Sequence, residues 1–274
     1  MEKNIKLYIL NLGRIEMDFN IIVNNATVAT VSDKEAKHRW DWVPIDSILI
    51  DHPEGKILFD LGCHPDGDPL RGGKRFSKTV NEVCPFYYDD GQTMEEQLAL
   101  CGTKPEEIKT IVFSHMHYDH TGYLYLFPHA NVIVYKKELE SAVSSVFEEP
   151  KREFHSYLYE DIIVPAAKYT YITEDTEIFD DIKMYNLKGH TQGLCGLMIK
   201  LKNTGPMFFV RDACNTSINY GPPTRLPGLV ENVPDYFAST EKIRKIAAEN
   251  NATVVFGHDK NQFMSMKHAP EYYD

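Results

Sequence analysis

The sequence predicts an α/β fold, a single domain over residues 1–274 built from mixed strands and helices. Three observations predict it. Short apolar runs alternate with helical segments, with no internal repeat and no low-complexity linker. The 274 residues are 43% hydrophobic and 25% charged, which suits one large globular domain and excludes a disordered chain. Polar clusters follow residues 113, 187, 210 and 256, each directly past an apolar strand, which is how α/β folds place functional side chains on loops at one sheet edge.

The elements follow in order. Residues 7–12 and 19–23 read as strands separated by a Gly-containing turn. Residues 46–59 read as a hairpin around His52-Pro53-Glu54-Gly55. Residues 62–92 are rich in Gly, Pro and Asp without periodicity, and a loop of that length is commonly functional. Thr93-Met94-Glu95-Glu96 is a capping box that opens a helix ending near Gly102. Strands are expected at 110–113 and 131–135, the second running into a helix from about Lys136. Residues 149–170 are aromatic-rich and carry no clear pattern. Strands are expected at 177–187, 195–201, 206–210 and 253–256, and a helix at 238–250.

Lys plus Arg is 29 and Asp plus Glu is 40, so the formal charge is 29 − 40 = −11. That balance argues against nucleic acid and anionic membrane surfaces as partners, since both need clustered cations. The N-terminus lacks the long apolar core of a signal peptide, and no run approaches the roughly 20 apolar residues of a spanning helix. Cys63, Cys84, Cys101, Cys195 and Cys214 are odd in number and widely spaced, so free thiols and a cytoplasmic location are expected.

His115, His117, Asp119 and His120 lie within six residues. Histidines at i and i+2 in a tight loop converge on one cation, while Asp119 and His120 point to another side and suit a second. Imidazole with carboxylate suits zinc, iron, cobalt or manganese. Such a run also occurs as a solvated loop. The placing of His190, Asp212 and His258 just past strands, two of them after a Gly, weighs against that reading.

The segment His115-Met116-His117-Tyr118-Asp119-His120, with His190, Asp212 and His258 downstream, resembles the metallo-β-lactamase superfamily over residues 5 to 265. Asp60-x-Gly62-Cys63-His64, Asp212-Ala213-Cys214, Asn219-Tyr220-Gly221-Pro222-Pro223 and Gly257-His258-Asp259 narrow the resemblance to its N-acyl-homoserine lactone lactonases, the quorum-quenching branch. The resemblance implies an αβ/βα sandwich, two mixed sheets flanked by helices, with two divalent metal ions, Zn2+ foremost, at one edge. It implies that His115, His117 and His190 hold one ion, that Asp119, His120 and His258 hold the other, and that Asp212 bridges both. In the lactonases a Tyr usually stands three residues after the bridging Asp. Here that residue is Asn215, whose amide can still donate a hydrogen bond, and Tyr220 is a second candidate for the same role.

The implied reaction is opening of a small-molecule lactone by a metal-bridging hydroxide. Asp119 is then the proton shuttle to the leaving alkoxide, and Asn215 or Tyr220 stabilises the oxyanion. The alternatives are hydrolysis of another lactone, an ester or a thioester, or iron oxidoreductase chemistry on the same fold. Di-iron members tend to carry Glu in place of the second His of the motif, where this chain has His117. The resemblance further suggests a monomer or homodimer. Phe19, Trp40, Trp42, Phe86 and Tyr157 are candidates to meet an acyl chain. His38, His52, His129, His155 and His268 are isolated and read as ordinary surface or loop residues, while His64 and Asp60 are candidates to support a ligand from behind.

Overall fold

The computed structural model describes residues 4–148, 154, 156–165 and 167–274. The chain opens with β1 (Lys6–Asp18), α1 (Phe19–Ile22), β2 (Trp40–His52) and β3 (Gly55–Phe59). The strand expected at 19–23 is therefore the helical turn α1. Its cause is local: the Asp18 carboxylate accepts the Asn20 N–H at 2.8 Å and caps the turn. Gly13 does not end a strand either. It lies within the continuous β1, where the register against β2 shifts between Asn11 and Arg14. Its φ is +115°, and a Cβ there would sit 2.4 Å from the Tyr87 carbonyl oxygen, so only glycine fits.

Residues 62–92 hold more structure than their composition suggested, namely α2 (Lys78–Val83) and the two-residue β4 (Phe86–Tyr87) that pairs with β1. Then come α3 (Met94–Leu100), opened by the expected Thr93 capping box, β5 (Ile108–Val112), α4 (Tyr118–Thr121), β6 (Asn131–Tyr135) and α5 (Lys136–Glu148). The segment without a sequence pattern includes α6 (Tyr159–Ile162) and leads into β7 (Lys168–Ile172). The single strand expected at 177–187 is a hairpin, β8 (Thr176–Phe179) and β9 (Ile182–Asn186), turned at Asp181 with φ of +67°. The remainder is β10 (Cys195–Leu201), β11 (Gly205–Arg211), α7 (Ser217–Tyr220), α8 (Val233–Asn250), β12 (Thr253–Phe256) and α9 (Lys260–Ser265). Helix α8 starts earlier than expected because Asn232 caps it, accepting the Asp235 N–H at 3.0 Å.

Among the described residues the strands form two sheets, one ordered β4-β1-β2-β3-β5-β6-β7 and one ordered β12-β11-β10-β9-β8. Their central strands are apolar on both faces, which is why they read as continuous apolar runs. In β2 and β3, Ile48, Ile50, Ile57 and Phe59 face one way and meet Ile182, Met184, Leu197, Ile199, Met207, Phe209 and Val255 of the second sheet. Leu49 and Leu58 face the other way, onto a cluster with Met94 and Leu98 of α3 and Ala142 of α5. On the far side Leu187, Met198, Phe208 and Val210 pack against Ile243 and Ile246 of α8. The layers are therefore helix, sheet, sheet, helix, the sandwich expected from the motif resemblance.

Direction places the site. β3 and β5 run parallel in the first sheet. In the second, β9 and β11 are both antiparallel to β10, and β12 is parallel to β11, so β9, β11 and β12 share one direction. The C-terminal ends of these five strands deliver Asp60, His115, His190, Asp212 and His258.

Candidate metal centre

The three histidines His115, His117 and His190 present ring nitrogens that converge: His117 Nδ1 is 3.1 Å from His115 Nε2 and 3.2 Å from His190 Nε2. A second group forms from Asp119, His120 and His258, with Asp119 Oδ2 3.5 Å from His120 Nε2 and 3.6 Å from His258 Nε2. Asp212 straddles the two. Its Oδ2 lies 3.4 Å from His190 Nε2, and its Oδ1 lies 3.3 Å from His258 Nε2 and 3.5 Å from His120 Nε2. Each triad, and the set His115, His120 and Asp212, keeps its donor atoms within 4.8 Å of one another.

The protein fixes the imidazoles from behind. His120 Nδ1–H donates to Asp60 at 2.9 Å, His190 Nδ1–H to the Leu229 carbonyl at 3.2 Å and His258 Nδ1–H to the Pro44 carbonyl at 3.1 Å. Ser114 Oγ accepts from His115 Nδ1 at 3.1 Å and donates to Asp60 at 2.8 Å. In all four rings the Nδ1 contact faces outward, which turns Nε2 inward toward the cluster. Asp60 thus supports both His115 and His120, as its position in the sequence suggested. It is fully buried, has φ of +59°, and is held in turn by Arg211 Nε at 2.9 Å.

Burial sets the charge states. It pushes His115 well below the usual imidazole range and His117 down to about 3, so both are neutral with lone pairs free. Burial opposes charge on His120 and His258 too, but Asp119 and Asp60 beside the first, and Asp212 beside the second, outweigh it and hold both up. The same neighbours overcome burial at the carboxylates: His120 holds Asp119 down to about 2, and His258 holds Asp212 well below the usual range. His120 Nε2 and Asp212 Oδ1 are buried without a hydrogen-bond partner. Buried polar atoms left without a partner at the centre of five imidazoles and two carboxylates are costly for the protein alone and fit a site for divalent cations.

A cleft opens over the cluster, lined by His117, Asp119, His190, Asp212, Asn215 and His258 on one side. Ile15 and Met17 of β1, Ile21 and Ile22 of α1, Val43 of β2 and Leu229 form its apolar wall. Asn215 is buried at the floor, its Oδ1 without a partner and its carbonyl accepting the His258 N–H at 2.8 Å. Tyr220 is directed elsewhere, its ring 5.5 Å from Phe256 and 5.1 Å from the Arg244 guanidinium. The aromatic residues named for the acyl chain do not form this wall. Phe86 is a core residue, Trp40 is exposed, Phe19 and Trp42 border a neighbouring hollow beside His258, and Tyr157 packs its ring on His117 at 4.8 Å. Tyr118 and Phe154 also line the cleft, and its wall is otherwise mainly aliphatic because α1 folds over it, which the strand-like sequence of α1 did not reveal.

The other histidines stay apart from the cluster. His64 caps a turn by accepting the Asp66 N–H, His52 does the same for Glu54, His129 donates to the Ile108 carbonyl, His38 pairs with Asp18, and His268 packs its ring at a tilt against Phe263. His155 lies outside the described residues. Burial pushes the Cys84 and Cys214 thiols up to about 12 and Cys63 well above its usual value, so none offers a thiolate at neutral pH. Two supporting groups had no sequence signal, Glu138 and Arg211, because each acts across more than 20 residues of chain.

The sequence profile of the metallo-beta-lactamase superfamily matches residues 40–205. The N-acyl homoserine lactonase AiiB of Agrobacterium fabrum (strain C58) is 30% identical over 268 residues, covering 95% of this chain and 96% of the relative. The N-acyl homoserine lactonase AttM of Rhizobium radiobacter is 30% identical over 284 residues, covering 98% and 99%. A solved N-acyl homoserine lactone hydrolase, with N-hexanoyl-L-homoserine bound at its catalytic metal centre, superimposes with a TM-score of 0.83 at 24% identity, covering 99% of this chain and 100% of that one. With the profile match spanning more than half its length and a relative 30% identical along nearly the whole chain, this chain belongs to the metallo-beta-lactamase superfamily.

Proposed function

We propose that the protein is a dinuclear metal-dependent hydrolase that opens the lactone ring of N-acyl-homoserine lactones. The observation that carries this reading is the pair of candidate ligand groups joined by Asp212 at the floor of an apolar cleft. Its support from relatives is the similarity to lactonases along nearly the whole chain. His115, His117 and His190 hold one divalent ion, Asp119, His120 and His258 the other, and Asp212 both. Zn2+ suits this nitrogen-rich set best, and iron, cobalt or manganese fit the same donors. When bound, the ions supply a nucleophilic water at neutral pH and Lewis acidity for the lactone carbonyl.

The chain does the rest. Hydrolysis adds water across the ring C–O bond, so one proton must travel from the attacking water to the leaving alkoxide. Asp119 borders the cleft beside His120 and His258, placed to accept that proton and return it to the ring oxygen. The Asn215 amide donates to the carbonyl oxygen as charge develops there. The acyl chain lies along Ile15, Met17, Ile21, Val43 and Leu229, and its burial there excludes water from the reacting bond.

A pH-stat assay of the zinc-loaded protein tests the reading, with short- and long-chain acyl-homoserine lactones set against lactoylglutathione. Lactone opening, cut at least about 10²-fold in Asp119→Asn and by about 10²-fold in Asn215→Ala, is the expected result. Faster turnover of the thioester than of every lactone assigns the site to the alternative hydrolase class. Near-normal turnover by Asp119→Asn removes the shuttle role.

A further inference from the structure

Glu138 is a charged side chain with no exposed surface, set in the first turn of α5, and the reaction described above makes no direct use of it. Four donors converge on its carboxylate. Oε1 accepts the Met116 N–H at 2.9 Å and the Tyr157 hydroxyl at 3.2 Å. Oε2 accepts the Thr191 hydroxyl at 2.5 Å and the Gly193 N–H at 3.2 Å. Met116 lies between His115 and His117, whereas Thr191 and Gly193 follow His190. Tyr157 also packs its ring against His117 at 4.8 Å. The close fit at Gly193, where a Cβ would meet the Glu138 nitrogen at 2.3 Å, shows how tightly the second loop is seated on α5.

We propose that Glu138 is the positioning residue of the three-histidine site, clamping the 115–117 loop to the 190–193 loop and setting that site's metal affinity independently of its neighbour. The inference rests on the dinuclear reading above. All four donors belong to the loops of His115, His117 and His190 or pack on them, and none belongs to Asp119, His120 or His258. A carboxylate is the group this position needs, because an ionised carboxylate offers about four acceptor sites and no donor. Glutamine keeps the shape but turns an NH2 toward two of the four donors. Aspartate keeps the charge but is one methylene too short to reach both loops from α5.

Co2+ titration of the metal-free protein, followed by visible absorption, reads the two sites apart when each is isolated by removing a ligand of the other. In the His258→Ala background, which leaves the three-histidine site, adding Glu138→Gln is expected to weaken Co2+ binding by about 10- to 100-fold. In the His190→Ala background, which leaves the other site, the same substitution is expected to change affinity less than about threefold, well inside that window. Tyr157→Phe and Thr191→Ala each remove one donor, keep the carboxylate, and are expected to give smaller losses confined to the first background. These two carry the test if Glu138→Gln does not fold. Equal weakening in both backgrounds, or in neither, overturns the clamp while leaving the dinuclear reading intact. A protein without either substitution that binds no Co2+ overturns both.

Discussion

Asp60 shows how much one side chain can organise. Its carboxylate receives the Ser114 N–H at 2.7 Å and the Ser114 hydroxyl and His120 ring as well, while the buried Arg211 neutralises it and also pairs with Asp46. Asparagine in its place has one acceptor oxygen and no charge: with that oxygen at Oδ2 its NH2 group opposes the Ser114 N–H, and turned the other way it opposes His120 and Arg211, so one set of donors loses its acceptor. Asp60→Asn is expected to lower zinc affinity by about 10- to 100-fold at the site holding His120, read by competition with a chromophoric chelator. It is also expected to destabilise the fold by roughly 3 kcal/mol in urea unfolding, because Arg211 loses one of its buried counter-charges. An unchanged chelator competition curve refutes the orienting role.

At the scale of elements, the loop after β3 and the turn α4 are bound to each other before any ligand is considered. Leu61 N–H donates to the His120 carbonyl at 2.7 Å, and Gly122 N–H donates to the Gly62 carbonyl at 2.8 Å. Gly122 has an ordinary helical φ of −57°, so backbone freedom is not what it contributes. Space is: a Cβ there would lie 1.9 Å from the His64 nitrogen and 2.2 Å from the Cys63 carbonyl carbon. Gly122→Ala therefore has to part the two segments and move His120. Overpacking of this kind costs about 1–3 kcal/mol, and thermal unfolding is expected to show a drop of several degrees together with reduced zinc content. A transition at the parent temperature with full zinc content means that the segments tolerate separation.

For the whole molecule, five strand ends from two sheets meet around buried carboxylates and converging ring nitrogens, so bound cations are expected to stabilise the sandwich. A ligand that binds only the folded state at 100 times its Kd adds about 2.7 kcal/mol of stability. Removal of metal with a chelator is expected to lower the unfolding temperature markedly, and added Zn2+ to restore it, as followed by circular dichroism. Identical unfolding with and without chelator contradicts that coupling. Among the described residues no helix is long and apolar enough to cross a membrane. The net charge of −11 leaves the surface acidic, and an uncharged lactone needs no electrostatic steering to reach the cleft.

The sequence by itself determined which candidate ligand types are present and in what order. The spacing of His115, His117, Asp119 and His120 is local, and the apolar runs before His190, Asp212 and His258 mark strands through side-chain hydrophobicity alone. The Thr93 capping box and strands β6, β10 and β12 were legible for the same reason, since their signals lie within a few residues. Only the tertiary structure decided what depends on neighbours distant in sequence. The Asp18 cap that makes 19–22 a helical turn is local, but distant groups seat that turn over the cleft: Phe19 N–H donates to the Arg39 carbonyl and Gly228 N–H to the Ile21 carbonyl. Asp181 breaks one apolar run into a hairpin, and Tyr220 turns to Phe256 and Arg244, leaving the cleft to Asn215. Glu138 carries no motif, because its meaning lies in four donors brought to it from residues 116, 157, 191 and 193 by the closing of two sheets. A side chain's type can be read from the sequence, but which groups share its hydrogen bonds is fixed only when the backbone has folded around it.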